Sequence, residues 1–114
     1  MPPGSNSIRG LNTVAAVSSA AILASVAFAN AAVVHVEVRD IAFVPAAVSV
    51  HTGDVVEWTN RDFVVHTATA RNGAWDVNLP VGKTGRITLT RTGVIDYYCR
   101  VHPNMTGKIE VGAK

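Results

Sequence analysis

Ile95-Asp96-Tyr97-Tyr98-Cys99-Arg100-Val101-His102-Pro103-Asn104-Met105-Thr106-Gly107-Lys108-Ile109-Glu110-Val111 reads as a strand, a short loop and a second strand. Side chains two apart lie on one face of a strand, so a period of two marks one buried and one wet face. Ile95, Tyr97 and Cys99 share a face, and Ile109 and Val111 alternate with Lys108 and Glu110. Between them, Met105-Thr106-Gly107 is a turn signal. The same period extends upstream. Val34, Val36 and Val38 alternate with polar residues, as do Val48 and Val50, Val56 and Trp58, and Ile87 and Leu89. Turn signals punctuate these runs at Thr52-Gly53-Asp54, Asn60-Arg61-Asp62, Arg71-Asn72-Gly73, Val81-Gly82-Lys83 and Thr92-Gly93. Seven or eight short strands with frequent turns predict an all-β fold, an antiparallel Greek-key β-sandwich.

The first thirty residues read differently. A polar start carrying Arg9 leads into an Ala-rich apolar run from Val14 to Ala29. The run closes on Ala27-Phe28-Ala29 and Ala29-Asn30-Ala31, both of the A-x-A type. This is the pattern of a secretory signal peptide, expected over residues 1–31 with cleavage after Ala29 or Ala31. The run is short for a membrane span and is diluted by Ser18, Ser19 and Ser25. One domain, residues 32–114, is expected to follow. No internal repeat or low-complexity tract interrupts it.

Removing the first 31 of 114 residues leaves 83, a size at which one hydrophobic core is marginal and a staple is useful. The single cysteine, Cys99, cannot close an internal disulfide. An exported free thiol would oxidise or cross-link, and a bound metal would both protect it and staple the fold. Without Arg9 the chain has nine Lys+Arg against eight Asp+Glu, and no basic cluster points to nucleic acid.

The chemistry concentrates in the opening stretch. Cys99, His102 and Met105 recur every three residues within one loop. A thiolate, an imidazole and a thioether together suit copper, and two imidazoles with one thiolate and a weak axial thioether form the blue-copper set. The second imidazole is best supplied by His66, which follows a turn, begins an extended run to Ala70 and has apolar neighbours. The metal ligands expected are therefore His66, Cys99, His102 and Met105. His35 and His51 lie on wet strand faces and are expected to be merely solvated; Trp58 and Trp75 are expected in or at the rim of the core. Asp54 reads as a turn residue and Arg100 as a solvated charge.

At these residues the chain resembles the cupredoxins, the type I blue copper proteins, and within them the amicyanin and plastocyanin-like branch. The Cys-x2-His-x2-Met spacing is similar to the short ligand loop of the amicyanins, whereas plastocyanins and pseudoazurins have longer His-to-Met spacing. Tyr97-Tyr98-Cys99, His102-Pro103 and Gly107-Lys108 resemble its C-terminal signature. Phe43-Val44-Pro45 and Gly53-Asp54-Val55-Val56-Glu57-Trp58-Thr59-Asn60 resemble its central strands. The likeness covers most of residues 33–112. It implies a cupredoxin-like fold, one copper ion cycling between Cu(I) and Cu(II), and electron transfer between redox partner proteins rather than catalysis. It also implies that Asn60 ties the two ligand loops together. Val65 and Val101 depart from the pattern, where such sequences often have proline, and Thr67 stands where Asn is common.

Further expectations complete this reading. Partners dock transiently near His102, on a small apolar patch of Val101, Pro103 and Pro80. The location is periplasmic, the state monomeric, with no nucleic acid and no stable membrane association after cleavage. Copper storage, delivery or resistance is the alternative for the same ligands. It is disfavoured because copper carriers often use Met-rich or His-rich tracts, and this chain has two Met, one of them Met1. A Cys–His nucleophilic enzyme would need an oxyanion loop, a third orienting group and a cleft that so small a domain hardly offers. Structural zinc uses more Cys and His and does not favour Met.

Overall fold

The computed structural model describes residue 4 and residues 30–114. The expected signal peptide therefore lies almost wholly outside the described residues. Nine strands follow in chain order: β1 Val33–Arg39, β2 Ala42–Val44, β3 Ala47–His51, β4 Val55–Asn60, β5 His66–Ala70, β6 Asp76–Leu79, β7 Thr84–Thr88, β8 Gly93–Tyr98 and β9 Thr106–Gly112. They form a four-stranded sheet ordered β2-β1-β4-β7 and a five-stranded sheet ordered β3-β9-β8-β5-β6. No helix occurs among the described residues.

The β-sandwich expected from the period-two pattern is present, with two additions. Two pairings, β1 with β4 and β3 with β9, are parallel, and the other five are antiparallel. The ninth strand is β6, whose Asp-Val-Asn-Leu gives too short an alternation to stand out in sequence. It is defined instead by pairing with β5, where His66 lies opposite Leu79.

The predicted inward residues do face inward. Val36, Val38, Val50, Val56, Trp58, Tyr97, Cys99, Ile109 and Val111 are buried, and Val34, Val48, Ile87 and Ile95 pack against them half-buried. Aromatic rings fill the space between the sheets. Tyr97 lies 4.6 Å from Phe43, 5.5 Å from Trp58 and 5.5 Å from Trp75, centroid to centroid. Trp58 Nε1 donates to the Tyr97 hydroxyl at 3.2 Å, crossing from one sheet to the other. Burial pushes the Tyr97 hydroxyl up to about 12, with the Trp58 N–H acting weakly in the opposite direction, so it stays neutral. Directly across the ladder from Tyr97 stands Gly107. A methyl group there would overlap the Tyr97 ring, so the ring can lie flat against β9 only because this residue has no side chain.

Asp54 does more than make a turn. It is buried, and its carboxylate accepts the amides of His51 at 2.8 Å and Ala32 at 3.0 Å. The His51 amide first and the Ala32 amide second hold its carboxyl below the ordinary 3.8, against desolvation. His35 and His51 are largely exposed, as expected, each with a carboxylate neighbour: Glu57 at 3.2 Å and Asp54 at 3.7 Å.

Two predictions follow from this packing. Gly107→Ala is expected to cost about 1–3 kcal/mol through overpacking against Tyr97, read as a lowered urea midpoint with unchanged slope. The carboxyl of Asp54 is depressed in the folded state, so its stabilisation is complete above pH 3.8 and is lost as pH falls below that. Asp54→Asn is expected to be less stable at neutral pH and to lose less further stability on acidification below pH 3.8, measured by urea titrations at pH 7 and at pH 3.

Candidate metal centre

At one end of the sandwich two loops meet. Residues 61–65 join β4 to β5 and deliver His66 as the first residue of β5. Residues 99–105 join β8 to β9 and carry Cys99, His102 and Met105. The second loop is closed by its own backbone: the Cys99 amide donates to the Met105 carbonyl at 3.0 Å, and the Met105 amide to the His102 carbonyl at 2.9 Å. This tight turn is why donors at intervals of three converge rather than spread.

The structure brings together the residues that the spacing singled out. The Nδ1 atoms of His66 and His102 each lie 3.8 Å from Cys99 Sγ. The donor atoms of these three residues all fall within 4.8 Å of one another, the one such cluster of His, Cys, Asp and Glu donors among the described residues. Met105 is buried, with 4% exposure, at the base of the same loop. His66 and Cys99 are fully buried, whereas His102 is half-buried, so the His102 ring is the member nearest to solvent. The two imidazole rings are 4.9 Å apart, centroid to centroid, and inclined at 54°.

The electrostatics favour a thiolate. Burial pushes the Cys99 thiol up, but the Thr67 amide, the two imidazoles and the His102 amide outweigh it and bring the thiol from 9.0 to about 6. The Thr67 amide donates to Cys99 Sγ at 3.3 Å. Thr67 also accepts the Arg100 amide on its hydroxyl at 2.9 Å.

Thr67 thus ties the two loops together, the part that the family likeness assigned to Asn60. Asn60 is buried, but its side-chain amide donates to the Val64 carbonyl at 2.8 Å and the Leu79 carbonyl at 2.9 Å, and its oxygen accepts the Asp62 amide. It braces the 61–65 loop from within and against β6, not against Cys99. The side-chain groups of Asn60 are taken up by Val64, Leu79 and Asp62, and the link to the Cys99 loop falls to β5, the neighbour of β8 in its sheet. Arg100 is held to Asp76 at 3.1 Å and Asn78 at 3.3 Å, which makes it a pinned surface charge rather than a free one.

Sequence reasoning missed two contributors. Asp62 Oδ2 accepts from His66 Nε2 at 2.7 Å, yet it reads in sequence as an ordinary loop acid. Its carboxyl lies below the usual range: desolvation raises it, but the Ile41 amide, the His66 ring and the Asp40 amide prevail. Ile41 lines the shallow hollow beside His102 together with Val101, Pro103, Asn104 and Met105. Pro80 is exposed but stands outside that hollow.

Two facing sheets that bury one thiol between two imidazoles in converging end loops define a β-sandwich built around a soft-metal site. The model of the Cupredoxin-like domain matches residues 12–111. The chain belongs to the cupredoxin family. It is 30% identical over 103 residues to amicyanin of Paracoccus denitrificans, covering 85% of this chain and 78% of that protein. It is 29% identical over 99 residues to amicyanin-alpha of Methylorubrum extorquens, covering 82% and 83%. Among solved structures, an oxidised amicyanin variant superposes with a TM-score of 0.64 at 25% identity, covering 69% of this chain and 81% of that one. A copper-containing nitrite reductase from Thermus scotoductus superposes with a TM-score of 0.62 at 29% identity, but the match spans 22% of that enzyme. Cupredoxins hold one copper ion, and a depressed thiol, two imidazoles and a buried thioether are donors of the right softness for it.

Thr67→Val removes the acceptor of the part-buried Arg100 amide while keeping the side-chain shape. The variant is expected to lose about 1–3 kcal/mol of stability, measured by urea unfolding of the metal-free protein.

Proposed function

We propose that the protein is a type I copper electron carrier in which His66, Cys99 and His102 are the strong ligands and Met105 the axial one. The observation that carries this reading is the convergence of both Nδ1 atoms on the buried Cys99 Sγ at 3.8 Å. When bound, copper supplies a one-electron couple between Cu(I) and Cu(II). The chain supplies the rest. Its sandwich fixes β5 and the β8–β9 loop and joins them through Thr67, so the donors keep their places while charge changes. Thr67 holds the sulfur and the loop behind it. The buried His66 and Cys99 exclude water, and the half-buried His102 offers a short route to the surface.

That surface is apolar, with Val101 and Ile41 about half exposed beside His102 and Pro103. We read it as the place where redox partner proteins touch in brief encounters. Contacts of this type are small and are easily dissociated. A periplasmic location is supported by the export-type pattern of residues 1–31. A carrier, not an enzyme, is favoured because the cluster is walled by its own loops and the nitrite reductase likeness covers 22% of that enzyme.

Adding one equivalent of Cu(II) to the metal-free protein is expected to give an intense blue thiolate-to-copper band that ascorbate bleaches and oxidation restores. Cys99→Ser is expected to abolish the band. A pale product that instead retains Cu(I) tightly would replace electron transfer with copper storage or delivery. Val101→Glu is expected to leave the band intact and to slow electron exchange with the native partner, measured by stopped flow; an unchanged rate would move the docking surface away from His102.

A further inference from the structure

Asp62 collects three donors on one carboxylate. Its Oδ1 accepts the Asp40 amide at 2.7 Å, and its Oδ2 accepts the Ile41 amide at 3.0 Å and His66 Nε2 at 2.7 Å. An ionised carboxylate only accepts, so the third bond keeps a proton of His66 on Nε2 and leaves Nδ1 as the nitrogen that faces Cys99. A carboxylate behind a ligating imidazole orients the ring and raises its basicity.

The other two bonds reach an unusual place. Asp40 and Ile41 form the two-residue turn between β1 and β2, flanked by the Arg39–Ala42 pair. Both are left-handed, with φ of 53° and 54°. Such a turn usually takes Asn-Gly, and a β-branched residue at positive φ is an outlier. Strain of this kind persists when the surroundings over-determine it. Here Asp62 receives both turn amides. The side chain of Ile41 is thereby set at the hollow beside His102. Asp62 itself is fixed by its own amide, which donates to Asn60 Oδ1 at 2.9 Å.

We propose that Asp62 is a positioning residue for the metal centre: it locks His66 with Nδ1 toward Cys99, loads negative charge onto that ring so that the oxidised ion is favoured, and couples the ring to the strained turn that places Ile41 beside His102. The redox consequence rests on the copper reading above; the locking of the ring does not.

Asp62→Asn, made in the full protein, separates these points. In the copper-loaded protein the blue band is expected to persist. The reduction potential is expected to rise so that, at fixed ambient potential, the reduced-to-oxidised ratio grows roughly tenfold, or ~59 mV for one electron. In the metal-free protein, long-range ¹⁵N NMR of His66 is expected to show the Nε2–H tautomer alone in the parent and both tautomers in the variant. Should Asp62→Asn fail to fold, Ile41→Gly, which relieves the left-handed position, is added to parent and variant alike and the pair is compared in that background. An unchanged potential together with an unchanged tautomer, with or without lost stability, overturns the proposal and leaves Asp62 as a turn brace. If the parent itself shows no blue band, the copper reading fails separately, and the tautomer measurement still decides whether Asp62 positions the ring.

Discussion

The bond from the Thr67 amide to the Cys99 sulfur, with the Arg100 amide on the Thr67 hydroxyl, is the constraint on which the metal centre depends. It joins the first strand after one ligand loop to the first residues of the other. β5 and β8 share a short ladder, Thr69 with Tyr98 and Ala70 with Tyr97, and beyond it the strands would be free to splay. Thr67 holds them together where the ladder has ended. An amide aimed at sulfur also stabilises a thiolate, so one contact serves both geometry and charge.

Everything behind that contact is scaffolding of an ordinary kind. Tyr97 plants β8 in the core by lying against Gly107 and bonding Trp58 across the sandwich. The residue two further on, Cys99, is thereby turned inward and sealed. The 61–65 loop is pinned by Asn60 to Val64 and Leu79, which sets His66 at the head of β5. Each ligand loop is anchored by strands of the sandwich, and Thr67 joins one to the other. This fits a centre whose geometry changes little on electron transfer, since the cost of holding the donors is met by the sheets.

The exposed side of the site is as informative as the buried side. His66 and Cys99 have no contact with water, and His102 has some. Around His102 lie apolar residues from two segments far apart in sequence, Ile41 and the Val101–Pro103 loop. Arg100, next in the chain to Val101, is pinned to Asp76 and Asn78.

The sequence by itself determined the period-two faces, the sandwich and three of the four candidate donors, because alternation and a tight Cys-His-Met loop are local properties carried by neighbouring residues. It also identified His66, since an apolar histidine at the start of an extended run stands apart from His35 and His51. What it could not hold was any relation between segments that meet only when folded. The parallel pairings, the short strand β6, the Thr67 tie that replaced the one assigned to Asn60, and Ile41 in place of Pro80 beside His102 are of this kind. Asp62 is the clearest instance: four residues from His66, it looks like a loop acid, and only the tertiary structure brings the left-handed amides of Asp40 and Ile41 and the ring of His66 to one carboxylate. The physical reason is that a hydrogen bond reads distance in space, and the sequence records only distance along the chain.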